Sequence, residues 1–519
     1  MELTCKHETI CINEVVYDGV MEHGIELDYM LPDYCQNIFK ILRCRLLPHI
    51  TASRVQNGRL LIEGMCRIEI LYTVEESFAI CSVVQKQAFS KTMELKDAPN
   101  TGQVTADVRC DYINCRAVSP RRIDLHGAIL IRAIVTAPVE HPVLCCAEGM
   151  GIQTDTAPVT VLSRRLTAQQ SFDVREEIPL AYGKPPVGEI LSIDASAVLT
   201  DTRIVANRAV TKGEIHVHLL YLPQDNGQPE VMEHVLPISQ VLDVQGVTEE
   251  YSLLIRFDVT DIETVMKQDE NGSCMAVTAT FSLIACCEAD KNEETCFLRD
   301  AYSTSYEAKA VRKTVMTGKM IRPIRETRTC KSSVSIPQNE LSAVYDLSCT
   351  FSAEDCHISD GQIHMTGSLC CCLLGCDTEN MPVSIEKKSP CEIMIDALCC
   401  EEGLFFHPCV SISGTSYRLI SSEEVEITVE LLITGTLCCN TSYTAVSEID
   451  IDEKTRVSCN GDPAIRLYYA AAGERVWEIA KQYRTDVASV LSENELETDT
   501  LAEPCVLLIP SSQTLQEEA

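Results

Sequence analysis

The chain has 519 residues, 45% hydrophobic and 23% charged, a balance typical of globular rather than disordered proteins. This length exceeds what one hydrophobic core usually supports, so it predicts roughly three to four domains. The net charge of −33 at pH 7 disfavours nucleic acid and anionic membrane surfaces as partners, because both repel such a field.

The first residues carry no recognisable targeting signal. Residues 1–8 are polar and acidic, without the basic stretch and apolar run of a signal peptide. Nowhere does an apolar run approach the roughly 18–20 residues needed to span a bilayer. The sequence therefore predicts a cytoplasmic protein without a membrane span.

Three segments of the chain share one strand pattern, in which a turn residue precedes a mid-strand glycine by six positions. The glycines lie 149 and 154 residues apart, and two of the three copies continue to a tyrosine eight residues later. The turn residues are Gly58, Asn207 and Gly361, the glycines are Gly64, Gly213 and Gly367, and the tyrosines are Tyr72 and Tyr221. Mid-strand glycines of this kind predict a bulge or a close approach of another backbone.

A second strand pattern follows each glycine by about sixty residues and alternates between apolar and polar residues, which predicts half-buried strands. Its three copies begin at Arg122, Ser273 and Glu424. A proline-headed segment, predicted as a short helix or a bend, lies ahead of the first pattern at Leu31-Pro32 and at Lys184-Pro185. Repetition of one plan at this period indicates tandem domains.

These patterns predict a mainly β fold, with three tandem β-rich, sandwich-like domains followed by a small βααβ module. The expected boundaries are residues 1–155, 156–315, 316–455 (the divergent third copy) and 464–513.

The 29 cysteines lie inside apolar strand-like runs, often as neighbours such as Cys145-Cys146 and Cys370-Cys371-Cys372. Successive residues of a strand point to opposite faces, so neighbouring cysteines suit neither a mutual disulfide nor a shared metal ion. We expect reduced thiols that pack as small hydrophobic side chains. The alternative is redox cross-linking in an oxidising extracellular layer.

No constellation of catalytic or metal-ligating residues emerges from the sequence. His216 and His218 share one strand face, but spacing fixes no third ligand beside them. Nucleophile-elbow, phosphate-loop and zinc-protease motifs are absent from the sequence. We predict a protein that is not an enzyme and has no cofactor, no catalytic residue and no metal site.

The last fifty residues read as a strand, a glycine turn at Gly473, two helices and a second strand that ends at Pro510. This order and spacing resemble a LysM module, a βααβ unit that usually binds N-acetylglucosamine polymers. In such modules a groove forms between the loop after the first strand, typically Gly-Asp-Thr, and an Asn-containing segment. Here the first loop is Gly473-Glu474-Arg475, and Asn494 is retained.

Two binding modes are open for this module. As a lectin it would hydrogen-bond N-acetyl groups through its loops. As a protein-docking module it would bury apolar residues, and Trp477 is a residue type enriched at interface hot spots, although packing in the core of the first helix is its other interpretation. The candidate partner- or glycan-binding residues are Ile465, Gly473, Glu474, Arg475, Val476, Trp477 and Asn494.

Tandem repeats of this pattern followed by a LysM-like module resemble the SPOCS-domain family of clostridial spore-coat morphogenetic proteins. The resemblance covers nearly the whole chain, and the third copy departs most from it, since Gly375 replaces the tyrosine. It implies an adaptor in the mother cell, at the forespore surface, whose SPOCS-like domains serve coat proteins or self-association.

The same resemblance implies that the LysM-like module docks on SpoIVA, the ATPase that polymerises as the basal layer of the coat. The alternative is a cell-wall protein that binds peptidoglycan or chitin. A cytoplasmic address favours docking, because peptidoglycan lies outside the membrane.

Overall fold

The structure is a computed structural model that describes residues 3–75, 77–95, 102–163, 165–225, 227–270, 272–336, 341–399, 401–421, 423–456 and 465–510. Antiparallel pairing groups its strands into three units of similar plan and one small C-terminal module. The predicted mainly β fold is therefore confirmed. Residues 464 and 511–513 of the predicted C-terminal domain lie outside the described residues.

The first unit consists of two three-stranded antiparallel sheets packed around one core. Its strands are β1 (Thr4–Met30), β2 (Ile38–Gln56), β3 (Arg59–Val74), β4 (Ile80–Glu94), β5 (Gln103–Ser119) and β6 (Arg122–Glu148). The sheet orders are β2-β3-β4 and β1-β6-β5. Alternate residues of both central strands, such as Ile68 and Ile129, are fully buried between the sheets.

The second unit repeats this plan and adds a separate two-stranded ribbon. Its strands are β7 (Ile152–Leu162), β8 (Leu166–Pro179), β9 (Val187–Val205), β10 (Arg208–Pro223), β11 (Glu230–Asp243), β12 (Ser252–Met266), β13 (Ala276–Asp290) and β14 (Asn292–Ser303). The sheets are β9-β10-β11 and β12-β13-β8, and β7 pairs with β14 as the ribbon.

The third unit has the same central pair of sheets, and its first and last strands are longer than any strand of the other two units. Its strands are β15 (Tyr306–Ser335), β16 (Ala343–Ser359), β17 (Gln362–Cys376), β18 (Pro382–Asp396), β19 (Leu404–Phe406), β20 (Cys409–Ser421) and β21 (Glu424–Arg456). One sheet is β16-β17-β18, and in the other β21 pairs with β15, β19 and β20.

The repeated turn residues close tight hairpins between the first two strands of each central sheet. Both turn residues of every hairpin have positive φ, the backbone of the two-residue turn that matches strand twist. The pairs are Asn57 with Gly58, Ala206 with Asn207, and Asp360 with Gly361.

The repeated mid-strand glycines lie at bulges, as predicted. Opposite each glycine the neighbouring strand carries one extra residue, at Thr51, Thr200 and Glu354. A Cβ atom on Gly64 would lie 2.3 Å from the His49 carbonyl oxygen and 2.3 Å from the Phe89 ring. The close backbone approach leaves no room for a side chain at this position unless the neighbouring groups shift.

The repeated tyrosines fasten the strand end to the proline-headed segment. Tyr72 donates a hydrogen bond to the Gln36 carbonyl at 3.2 Å, and Tyr221 donates to the Pro185 carbonyl at 3.1 Å. The segment is a turn rather than a helix, since the Cys35 amide donates to the Pro32 carbonyl. In the third unit Gly375 takes the tyrosine position.

The three units meet through equivalent strands around an approximate threefold axis. The repeat spacing makes Leu71, Leu220 and Leu374 equivalent, and all three lie in one buried cluster. The members of this axial cluster are Leu42, Leu71, Ile80, Leu191, Leu220 and Leu374.

The residues opposite these three leucines form an axial triad of Arg43, Ser192 and Asp346. Arg43 donates to the Asp346 carboxylate at 2.7 Å and to the Ser192 hydroxyl at 3.3 Å. His218 lies 2.7 Å from the same carboxylate. Burial opposes ionisation of Asp346, but the hydrogen bond to His218 and the Arg43 charge prevail and lower its pKa to about 2.

A cavity of about 420 Å³, the axial cavity, lies beside this triad and is lined by all three units. Its walls include Arg45 and Arg67 of the first unit, His216 of the second, and Ser348 and Cys349 of the third. The predicted shared face of His216 and His218 is thus turned toward this junction.

A second junction joins three two-stranded ribbons, one from each unit: the ends of β1 and β6, the β7–β14 pair, and the ends of β15 and β21. Their apolar side chains share a buried cluster that contains Ile12, Val143, Val159, Val161, Phe297, Val315 and Ala445. Two separate junctions hold the three units together.

One cysteine pair departs from the expectation of reduced thiols. A disulfide joins Cys330 of β15 to Cys391 of β18, with Cα atoms 6.4 Å apart, and links the two sheets of the third unit. Both side chains face the core from opposite sheets, which brings them within the span of a disulfide. The other described cysteines are free thiols, most of them buried or half-buried.

The C-terminal module has the predicted βααβ order. It comprises β22 (Ile465–Ala470), α1 (Val476–Tyr483), α2 (Val487–Glu493) and β23 (Cys505–Pro510), and the two strands pair antiparallel. Arg484 ends α1 in the left-handed conformation, and Asp486 caps α2 by accepting a hydrogen bond from the Ser489 amide.

Candidate interaction site in the C-terminal module

The apolar core of the module extends into the second unit. Helix α1 buries Val476, Trp477, Ile479 and Ala480, and Tyr302 of β14 belongs to the same cluster. The module is therefore packed against the β7–β14 ribbon and is not a freely tethered domain.

Trp477 lies at the centre of this contact and is only 3% exposed. Its indole Nε1 donates a hydrogen bond to Asp300 at 3.2 Å, and its ring meets the Tyr302 ring edge-on with centroids 5.0 Å apart. The Tyr302 hydroxyl in turn donates to the Thr485 carbonyl of the module at 2.7 Å. The only tryptophan of the chain thus joins the module to the second unit.

Two buried carboxylates on the ribbon receive the positive charges of the module. Asp155 and Asp300 are directly opposed across β7 and β14. Asp155 accepts hydrogen bonds from Arg475 at 3.0 and 3.1 Å, and Asp300 accepts from Lys481. At the margin, Arg484 donates to Glu307 at 2.9 Å.

Two arginine side chains outside the module also pair with these two carboxylates. Arg299 donates to Asp155 and Arg312 donates to Asp300. Burial opposes ionisation of both carboxyls, but the hydrogen bonds from Arg299 and Arg475 lower the pKa of Asp155. Hydrogen bonds from Lys481, Trp477 and Arg312 likewise lower the pKa of Asp300.

The two loops that would flank a glycan groove are joined to each other. The Gly473 amide donates to the Leu501 carbonyl at 2.8 Å, and the Leu501 amide donates to the Glu474 carbonyl at 3.0 Å. Arg475 adds an ion pair with Asp499 at 2.7 Å. Gly473 itself has a φ of +87°, which explains the glycine in this turn.

The polar side chains of these loops are also engaged inside the module. Glu474 accepts hydrogen bonds from the Ala471 amide and the Tyr468 hydroxyl. The Asn494 amide nitrogen donates to the carbonyls of Val490 and Leu508, and its oxygen accepts from the Leu508 amide at 2.7 Å. Asn494 thus clamps the end of α2 to β23.

The predicted site residues therefore fall into separate places. Arg475 and Trp477 contact the second unit, and Val476 lies in the module core. Ile465 lies on β22 and is exposed. Together these seven residues do not form one open surface.

An apolar surface that the candidate list largely missed lies on the outer side of the β22–β23 pair. Ile465, Leu467, Tyr469 and Val506 are 49%, 64%, 79% and 49% exposed, and Tyr469 is directly opposed to Val506. We call these four residues the outer face. Ile465, Leu467 and Tyr469 occupy every second position of β22, and this period was a sequence signal that could have identified them.

None of the helices in the described part of the chain is long and apolar enough to cross a membrane.

Comparison with known families gives one match, repeated in the chain. The sequence model of the family described as SipL, SPOCS domain matches residues 37–118 and 186–267. These segments run from β2 to β5 and from the start of β9 to the end of β12, and they begin 149 residues apart, as do Gly64 and Gly213. Searches of curated proteins and of solved structures found no match.

Proposed function

We propose that this chain, two segments of which match the family described as SipL, SPOCS domain, is a sporulation-related protein that acts as a non-enzymatic structural adaptor in endospore coat assembly. In this proposal it works in the mother-cell cytoplasm at the forespore surface. Its LysM-like C-terminal module docks on a SpoIVA-like basal-layer coat protein, and its three β units link further coat proteins or other copies of the chain.

The observation that carries this proposal is the orientation of the C-terminal module. The side of the module that carries Trp477 packs against the second unit, and the outer face, with Leu467 and Tyr469, is exposed. Clustered exposed apolar side chains mark interaction surfaces in soluble proteins. Aromatic residues such as tyrosine are enriched at the energetic centres of protein interfaces.

The arrangement of the three units supports an adaptor role. Two junctions hold the units in fixed relative positions, so their outer surfaces present three related but different contact areas. Several weak contacts on one rigid body give high overall affinity without a tight individual site.

Glycan binding has less support, because the loops expected to flank the groove are hydrogen-bonded to each other through Gly473, Glu474 and Leu501. Both amide hydrogens of Asn494 are also donated to carbonyl groups inside the module.

The test compares the full chain with a Leu467→Ser/Tyr469→Ser double variant in binding to a purified SpoIVA-like protein. We expect affinity to fall by about tenfold or more, equivalent to about 1.4 kcal/mol, because apolar contact area is lost. Leu419→Ser in β20 is the matched control, since Leu419 is also an exposed leucine on a strand. Unchanged Trp477 fluorescence would show that the variants keep the module docked.

The competing function is measured in parallel by sedimentation of the full chain with purified peptidoglycan. Sedimentation with peptidoglycan, together with no binding to the SpoIVA-like protein, would refute docking and establish the wall-binding alternative.

A further inference from the structure

Cys349 and Cys371 form a close thiol pair in the third unit. They are directly opposed across β16 and β17, and the Cys349 thiol donates to the Cys371 sulfur with the two Sγ atoms 3.6 Å apart. Opposed residues of antiparallel strands have Cα atoms about 4.5–5.5 Å apart, within the roughly 4.4–6.8 Å that disulfides span. A bond here requires only side-chain adjustment.

The neighbouring cysteines do not compete for this partner. Cys370 and Cys372 point to the opposite face of β17, where their thiols contact Glu386 at 3.1 Å and Ser384 at 3.3 Å. Cys371 points into the core, as Cys349 does. Strand alternation therefore selects Cys371 from the three consecutive cysteines.

The pair can be reached from the axial cavity. Cys349 lines this cavity and is half-buried, whereas Cys371 is fully buried behind it. Basic and acidic side chains both line this cavity, among them Arg45 and Asp194, which pair at 2.6 Å, so a polar molecule meets both signs of charge near the entry thiol. At about 420 Å³ the cavity falls within the range of small-molecule pockets, roughly 300–1,000 Å³.

The hydrogen bond also prepares the pair for thiol chemistry. Donation from Cys349 is the main cause that lowers the pKa of Cys371, against the opposing effect of burial, and the same hydrogen bond raises the pKa of Cys349. Cys371 is therefore the favoured thiolate of the pair, and Cys349 is the thiol that the cavity exposes. A thiolate, rather than a thiol, is the nucleophile in disulfide exchange.

We propose that Cys349 and Cys371 are a redox-active pair, which a small disulfide such as oxidised glutathione converts to an intramolecular disulfide through the axial cavity. This modification site does not depend on the adaptor role or on the identity of any coat partner.

The exchange proceeds in two balanced steps. The deprotonated Cys349 sulfur attacks one sulfur of the small disulfide, whose S–S bond breaks, and the first leaving thiolate takes the proton that Cys349 released. The Cys371 thiolate then attacks the Cys349 sulfur and displaces the second small thiolate, which takes the Cys371 proton. The protein loses two electrons and two protons, and the small disulfide becomes two thiols.

The new bond would cross-link β16 to β17 three residues from Asp346 of the axial triad. The existing Cys330–Cys391 bond links the two sheets of the same unit, whereas this one links two strands within a sheet. Oxidation thus stiffens the strand through which the third unit contacts the other two.

The test treats the reduced full-length protein with a concentration series of oxidised glutathione, blocks the remaining thiols under denaturing conditions, and maps disulfides by mass spectrometry. Trypsin leaves both cysteines in one peptide, so cleavage after Glu354 is used to separate them. We expect a Cys349–Cys371 linked peptide about 2 Da lighter than its two free-thiol halves. Cys349→Ser should abolish it and leave Cys371 open to alkylation.

Cys356→Ser is the matched control, because Cys356 is a half-buried cysteine on the same strand, opposed to Met365 rather than to a thiol. It should form the link as the unmodified protein does. The proposal is overturned if Cys371 remains alkylatable across the whole series, if Cys349 stops at a stable mixed disulfide with glutathione, or if Cys371 bonds to a cysteine other than Cys349.

Discussion

At the residue scale, Trp477 is a direct probe of the packing of the C-terminal module against the second unit. It is the only tryptophan of the chain, and its indole contacts Asp300 and Tyr302 of the second unit. Its fluorescence therefore arises from a single place, the contact between the module and the β7–β14 ribbon.

Asp300→Asn is expected to loosen this contact. The variant leaves Lys481 and Arg312 facing a neutral side chain, and because both cations are partly exposed to water the loss of these charge-assisted hydrogen bonds costs about 1.5–3 kcal/mol. The Trp477 emission should shift to longer wavelength and become more accessible to acrylamide. Asp261→Asn, which removes a more exposed partner of Lys86, should leave the spectrum unchanged.

Acid should release the module by the same route. Both Asp155 and Asp300 have a pKa below the ordinary 3.8 in the folded chain. Their ionised forms therefore stabilise the docked state fully above pH 3.8, and this contribution is lost as the pH falls through the lowered values. In Trp477-monitored unfolding, the stability difference between the natural protein and Asp300→Asn should be constant near neutral pH and shrink below pH 3.8. A difference that grows on acidification would contradict this.

Sequence could assign Trp477 to helix α1 but could not identify its partner. Asp300 lies 177 residues away, on a strand whose aspartate has no distinguishing motif around it. The outer face could have been predicted, since Leu467 and Tyr469 follow the period of a two-sided strand. Of its four residues, only Ile465 was among the candidate binding residues chosen from the sequence.

At the scale of elements, the repeated bulge is the local feature most tightly specified by sequence. The spacing of Gly58 and Gly64 predicted both the hairpin turn and the close approach that the structure places there. The proline-headed segment was predicted less sharply, because a proline at a strand entry is compatible with a helix start or a turn.

Gly64→Ala should destabilise the first unit by about 1–3 kcal/mol, because the added methyl group meets a carbonyl oxygen and an aromatic ring in a packed core. Gly24→Ala is a matched control in the same unit, since a Cβ there meets nothing within 4 Å. Chemical denaturation of the two variants provides the measurement. Equal stability of both would show that the close approach at Gly64 is relieved without cost.

At the scale of the whole molecule, the axial triad is the polar contact at one of the two junctions that hold the three units together. Arg43→Met leaves the Asp346 carboxylate buried with His218 alone, and we expect a loss of about 3–5 kcal/mol together with separate unfolding steps for the units. Calorimetry would resolve these steps.

The swap Arg43→Asp/Asp346→Arg provides the control for this effect. It restores opposite charges at the same contact, so it should be more stable than Arg43→Asp alone. A double variant no better than the single one would assign the effect to packing rather than to charge.

The number of units and the central strands of each could be predicted from one sequence, because every copy repeats the same local pattern. The arrangement of the units relative to one another could not be predicted from the sequence. It depends on contacts such as Arg43 with Asp346, 303 residues apart, between positions that differ in chemistry from one copy to the next.

That chemical difference has a consequence for how the gene can change. Gene conversion between the first and third copies would place two arginines, or two aspartates, where Arg43 and Asp346 now meet. Such a product would carry like charges at the contact that holds the units together. A recombinant with like charges at this contact would lose stability. The copies must therefore stay different at this position, even if their strands became alike elsewhere.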